Sequence, residues 1–207
     1  MTQFFILRHG ETLWNREHRI QGQGNSELSG VGLRQAAAAA RYLATAGCTR
    51  LVSSDLGRTV QTALPIAAAT GLRIETDAAL RERAFGIFEG LTPHQVRERY
   101  PDDHASWQLR KPDYGIPGGE SLVQLRDRAR GALDALARTS PGKVIIVTHG
   151  GVLDACYRIA VNAPLDAPRT WQLLNASVNQ IKVDEGKWEL GAWGDITHLP
   201  AAEDDFG

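Results

Sequence analysis

The chain is poor in several things, and each scarcity removes a class of protein. Two cysteines among 207 residues, Cys48 and Cys156, make neither a disulfide framework nor a metal cluster and read as unpaired thiols. No apolar run approaches the roughly 20 residues that a spanning helix needs. The opening Met1 to Glu11 lacks the basic stretch and small-residue cleavage site of a secretory leader. Neither sign of charge is in excess: 23 Lys and Arg against 24 Asp and Glu leave a formal net charge of −1. Bulk attraction to nucleic acid or to an anionic membrane is therefore not expected. There is no internal repeat, low-complexity tract or charge run. What remains, 43% hydrophobic residues with mean hydropathy −0.27, is the composition of an ordinary globular, cytoplasmic protein.

Element types alternate along the chain. Gln3 to Leu7 is continuously apolar and predicts a buried strand. Ser29 is placed to cap a helix with an apolar stripe at Leu33, Ala36, Ala37, Ala40, Leu43 and Ala44, closed by Gly47. Leu51-Val52 predicts a short strand, followed by a helix carrying Val60, Ala63, Leu64 and Ala67 and ending at Gly71. Leu72 to Glu75 is a weak strand. Thr92-Pro93-His94-Gln95 forms a capping box for a short helix to Tyr100, while 101–120, rich in proline and turn residues, predicts loop. A second capping box, Ser121 with Gln124, opens a helix with Leu122, Leu125, Ala129, Leu133 and Leu136 on one face. Lys143 to Thr148 is the strongest strand, and Gly150 to Ala160 predicts helix, with Cys156 on its buried side. Val178–Val183 and Trp188–Trp193 predict a strand pair around a Glu185-Gly186 turn. Strands alternating with helices imply a three-layer α/β/α sandwich with a mainly parallel central sheet.

Three of the strands end on the same chemistry. The first runs into Arg8-His9-Gly10, the second into Ser53-Ser54-Asp55 and Arg58, the third into His149-Gly150-Gly151. Ligands of open α/β sheets bind beyond the carboxyl ends of the strands, so Arg8, His9, Arg58 and His149 are predicted to meet in one crevice. Ser53 or Ser54 would cap the second helix and put Arg58 in its first turn, where anions are favoured. Guanidinium forks match phosphate oxygens, and a neutral histidine can attack phosphorus. Glu82, between Arg81 and Arg83, is the candidate acid for the leaving oxygen, with a plain surface ion pair as its bland alternative.

These residues carry a resemblance. Leu7-Arg8-His9-Gly10-Glu11-Thr12 with Trp14-Asn15 and Gln21-Gly22 resembles the opening of the histidine phosphatase superfamily, in its phosphoglycerate mutase-like branch. The match runs on through Ser53-Ser54-Asp55-Leu56, Arg58-Thr59, Leu80, Glu82, Phe85-Gly86, Glu89-Gly90, Pro117-Gly118-Gly119-Glu120-Ser121 and Val147-Thr148-His149-Gly150-Gly151, nearly the whole chain. The resemblance implies one histidine phosphatase domain over 1–207 with a variable, cap-like insert at about 83–120. It implies His9 as the nucleophile, with Arg8, Arg58 and His149 on the transferring phosphoryl group. Glu82 is then general acid and, later, base. Asn15, Gln21, Gly22 and Gly150 take phosphate-binding positions. No metal or other cofactor is implied, and the expected partner is a small phosphorylated metabolite. A homodimer is frequent among relatives, and the residues do not decide it.

The same resemblance leaves two activities open. Mutases of this branch carry a longer insert with basic residues for a second phosphate and a carboxylate. Here Tyr100 to Pro117 is short and holds only Arg110 and Lys111 as adjacent cations, which favours a phosphatase over a phosphoglycerate mutase. A catalytically silent binding module is the third reading, and such members usually lose a histidine that this chain keeps. His18, His94, His104 and His198 are expected in ordinary surface or packing roles. Trp107 and Tyr114 either wall the substrate pocket or simply pack.

Overall fold

A strand that is apolar at every position must be covered on both faces, and the computed structural model, which describes residues 1–200, shows how this is done. The sheet has six strands in the order β3-β2-β4-β1-β5-β6: β1 (Thr2–Arg8), β2 (Arg50–Ser53), β3 (Ile74–Thr76), β4 (Gly142–Thr148), β5 (Val178–Asp184) and β6 (Lys187–Leu190). The first four are mutually parallel, whereas β5 runs antiparallel to β1 and hairpins into β6. Side-chain alternation splits the core. Phe5, Leu7, Leu51, Ile145 and Val147 pack under α2 (Gly30–Leu43) and α3 (Gly57–Thr70). Phe4, Ile6, Val144 and Ile146 pack on the other face under α6 (Leu122–Thr139) and α7 (Gly150–Val161). The α/β/α sandwich is as expected.

Several boundaries differ from expectation. The segment 101–120 is not all loop, because α5 (Pro101–Gln108) follows α4 (Pro93–Arg99) directly. Proline at the first helical position and Asp102 and Asp103 in the first turn favour that helix. A third apolar cluster of Phe88, Val96 and Ile116, joined by Tyr100 and Trp107, holds this insert together. Ser53 and Ser54 do not cap α3: its N-cap is Leu56, without a side-chain cap. Asn25 Oδ1 instead accepts from the Arg58 amide. The last strand stops at Leu190, short of Trp193. On α2 and α3 the buried faces are rotated from those expected, leaving Leu33 57% and Leu64 56% exposed. On α2 the cause is a close approach. A Cβ on Gly32 would lie 2.0 Å from the Glu11 carbonyl oxygen, so α2 turns its glycine, not Leu33, to the β1 loop.

Sheet register places the strand ends in one row. Arg8 lies opposite Thr148 and Ser53 opposite Val147, with the His9 amide donating to Thr148 O at 2.9 Å. Helices α3 and α7 leave adjacent strands β2 and β4 for opposite faces, which opens the crevice between them. No helix of the described residues is long and apolar enough to cross a membrane.

Candidate active site

His9, Arg58 and His149 are buried at this crevice, and the His9 and His149 rings lie 5.3 Å apart, edge to face. His9 Nδ1 is 2.7 Å from Gly10 O. A carbonyl only accepts, so Nδ1 carries the proton and Nε2 keeps its lone pair. Burial first, then the charges of Arg58 and Arg8, hold the His9 imidazole well below its ordinary value near 6.5, so the ring is neutral at neutral pH. His149 is depressed by the same burial and by Arg58, and its Nε2 meets Ser54 Oγ at 2.9 Å.

The arginines are held by backbone carbonyls rather than by acids. Arg58, 1% exposed, donates from its two Nη atoms to Gly22 O and Gly24 O at 2.7 Å each. Burial pushes its guanidinium down to about 10, against the opposing pull of Glu82. Arg8 Nη1 donates to Leu173 O. Among the described residues, Arg8 Nε, Arg58 Nε and His149 Nδ1 are buried without a hydrogen-bond partner in the protein. Buried polar atoms are nearly always paired, and three unpaired ones on residues of one crevice fit an anion with several oxygens.

Glu82 lies at the same cleft as Arg8 and Gly150 and is not in a surface ion pair. Both its carboxylate oxygens lie 3.0 Å from the Gly151 amide at the start of α7, and the Arg83 amide donates to Oε1 at 2.8 Å. Its neighbours in sequence are engaged elsewhere: Arg81 forks onto Asp55 at 2.6 and 2.7 Å, and Arg83 Nε donates to Glu120 O. A Cβ on Gly151 would sit 2.1 Å from Glu82 Oε1, so glycine at this position leaves the carboxylate its place. The remaining predicted positions take less direct parts. Asn15 Oδ1 accepts from the Thr12 amide and completes the capping box that Thr12 opens on α1 (Leu13–Arg16), which leaves its Nδ2 as the group for an anion. Gln21 Oε1 accepts from Thr12 Oγ1. Gly22, at φ +55°, presents its carbonyl to Arg58 where any Cβ would strike the Glu89 carboxylate. Gly150 lies against Arg8 at the α7 N-terminus.

Positioning residues went unnoticed in the sequence. Arg128 on α6 donates to the carbonyls of Ala79, Arg81 and Glu82 and forks onto Glu120, so it carries the segment that bears Glu82. It sits with Arg126 and Asp127 between the apolar positions Leu125 and Ala129, and nothing in that polar stretch singles it out. Asn175 Nδ2 donates to His9 O at 3.0 Å. Ser54 lies within the Ser53-Ser54-Asp55-Leu56 motif, but its contact with His149 has no local signature.

Outward from Arg8, Glu82 and Gly150 runs a cleft of about 780 Å³. Arg83 and Arg110 of the insert and Arg169 of the segment after α7 line it, so its cations do not come from the insert alone. Trp107 is part of its wall. Tyr114 is not: it lines a smaller cavity of about 180 Å³ behind Arg83 and donates to Asp103 at 2.5 Å. His94 pairs with Glu98 on the surface, and His198 Nε2 lies 3.0 Å from Ala176 O.

A mixed sheet of this order with a histidine pair at its parallel strand ends defines an α/β protein of the phosphoglycerate mutase-like fold. The family model of the histidine phosphatase superfamily (branch 1) matches residues 4–196. The chain belongs to that superfamily. It is 38% identical over 210 residues to a protein of Yersinia pestis (strain Pestoides F) named "Probable phosphoglycerate mutase GpmB", covering 96% of this chain and 95% of the relative. Among solved structures it resembles YhfR of Bacillus stearothermophilus, with TM-score 0.87, 30% identity and 97% and 100% of the two chains covered. It also resembles a mycobacterial glucosyl-3-phosphoglycerate phosphatase, with TM-score 0.82, 33% identity and coverage of 93% and 98%.

Proposed function

We propose that the protein is a phosphatase that hydrolyses small phosphomonoesters through a phosphohistidine on His9, without a metal. The carrying observation is the neutral His9 ring, pinned through Nδ1 to Gly10 O, beside unpaired buried nitrogens of Arg8, Arg58 and His149. His9 Nε2 attacks phosphorus as the ester oxygen leaves, and Glu82 gives that oxygen a proton. Glu82 then takes a proton from water, which attacks the phosphohistidine and returns His9 with inorganic phosphate. The guanidiniums of Arg8 and Arg58 and the His149 ring meet the charge of the three phosphoryl oxygens, the part magnesium plays in other phosphoryl transfers.

Two observations favour release to water. Arg169, Thr170, Gln172 and Leu174, along one wall of the cleft, are exposed, so water has a path to the intermediate. A structural relative at 33% identity is named a phosphatase. The mutase reading is supported by the name of the Yersinia relative and by the additional arginines of the cleft. Incubation with p-nitrophenyl phosphate in EDTA separates the readings from inactivity. Steady phosphate release is expected, and none between pH 5 and 8 contradicts the proposal. Isomerisation of phosphoglycerate, stimulated by 2,3-bisphosphoglycerate and faster than phosphate release, would replace it with a mutase.

A further inference from the structure

The outer end of the cleft holds a second set of unsatisfied polar atoms, separate from those around His9. Asp154 is 9% exposed and lines the cleft. Its Oδ2 accepts from Arg158 Nε at 2.9 Å and Arg110 Nη2 at 3.3 Å, while its Oδ1 is buried without a partner. Arg110 Nε and Trp171 Nε1, on the same cleft, are buried donors without a partner among the described residues. A carboxylate oxygen in that state needs a donor, and an arginine or indole nitrogen needs an acceptor.

The placement of these groups relative to the inner site follows from helix geometry. Gly150 and Asp154 are four residues apart on α7, hence on one face, with Asp154 about 6 Å farther along the axis. Arg110 reaches the same point from the insert, where it follows α5 in the left-handed conformation (φ +50°) and also donates to Leu165 O at 3.2 Å. Arg158, 1% exposed, anchors the far side by donating to Pro164 O and Ala167 O. Trp171 is fixed by stacking on Tyr157 at 4.0 Å. Hydrogen bonds and stacking hold the set, which has one acceptor and two donors about one helical turn beyond the phosphoryl site.

Resting on the phosphatase reading above, we infer that Asp154, Arg110 and Trp171 form a specificity subsite for a polyhydroxylated alcohol portion of the substrate, of sugar or polyol type. A hydroxyl group both donates and accepts, so neighbouring hydroxyls satisfy Asp154 Oδ1 and the two donors together. A hydrocarbon alcohol satisfies neither. A simple carboxylate satisfies the donors but leaves Oδ1 facing another acceptor. The cleft volume of about 780 Å³ has room for a ring of that size next to the phosphoryl group.

The test compares D-glucose 6-phosphate, D-mannose 6-phosphate and D-ribose 5-phosphate with cyclohexylmethyl phosphate, a primary alkyl ester of similar shape without hydroxyls. The best sugar phosphate is expected to exceed cyclohexylmethyl phosphate in kcat/KM by about 10- to 100-fold, the range for one hydrogen bond to a charged group. Asp154→Asn and, independently, Arg110→Gln are expected to collapse that ratio towards one. Arg110→Gln leaves the Asp154–Arg158 pair in place, which guards against a folding defect in the first variant. A wild-type ratio near one with both esters hydrolysed overturns the subsite and leaves the phosphatase reading standing. An equal fall on both esters in both variants also overturns it, because Asp154 and Arg110 would then be structural. Hydrolysis of neither ester, nor of p-nitrophenyl phosphate, removes the phosphatase reading and the subsite with it.

Discussion

The inner and outer ends of one cleft are built by different rules. The inner end is made at strand termini: β1 delivers Arg8 and His9, β4 delivers His149, and the α3 start that follows β2 delivers Arg58. Its geometry is inherited from sheet register, which backbone hydrogen bonds fix at every residue. The outer end is assembled from the insert, the second turn of α7 and the 162–174 segment, and side-chain ties such as Arg110 to Asp154 hold it. A site fixed by register supports one chemistry, whereas a site fixed by side chains is free to change its ligand. Catalysis and selectivity are therefore expected to respond separately to substitution.

The largest effect should fall at the inner end and spare no substrate. His9→Asn is expected to lower kcat on every phosphomonoester by a factor on the order of 10⁶, as loss of a nucleophile does elsewhere. A variant that kept activity on some esters would break the comparison. Glu82→Gln should cost about 10²–10⁴ on alkyl phosphates and much less on p-nitrophenyl phosphate, whose leaving oxygen needs little protonation. Equal losses on both would assign Glu82 another task. Gly151→Ala tests positioning, because its Cβ would lie 2.1 Å from Glu82 Oε1. Displacing that carboxylate by about 1 Å should cost about 10² in kcat on alkyl phosphates. Steady-state kinetics on paired aryl and alkyl esters reads both variants.

The smallest effect concerns stability. Burial holds His9 and His149 well below 6.5 in the folded chain, while unfolded histidine titrates near that value. Below about 6.5 the unfolded chain binds protons that the folded chain refuses, so stability falls with falling pH and levels off above that point. Melting followed by fluorescence should give a plateau in Tm above about pH 7 and a decline below about 6.5. Carboxylates held low by arginine, Asp55 beside Arg81 and Glu75 beside Arg50, join only at more acidic pH. A Tm flat from pH 7 to 5 would contradict the two neutral histidines.

The same contrast explains what could be seen in the sequence. β1 and β4 were legible because a strand covered on both faces must be apolar throughout, and the residues that follow it are at the strand ends by construction. Arg8, His9 and His149 came with them, and Arg58 with the shorter strand β2. The rotation of α2 was not legible, since the run Ala36–Ala40 has no periodicity to set a face and Gly32 sets it through contact with Glu11. α5 was hidden by its proline, which marks a helix start as readily as a break. Asp154 has no signal of its own in the sequence, because its meaning depends on Arg110, which approaches from the insert. Arg128 was missed for the same reason: its partners are the carbonyls of another segment.

The central claim is that His9 carries the phosphoryl group. Rapid mixing with a phosphomonoester, quenching in base and mass spectrometry of the digested chain tests it directly. The account predicts one acid-labile phosphoryl group on the peptide containing His9, formed and lost during turnover and missing in His9→Asn. A phosphoryl group found on His149 instead, or full turnover with none on His9, would contradict it.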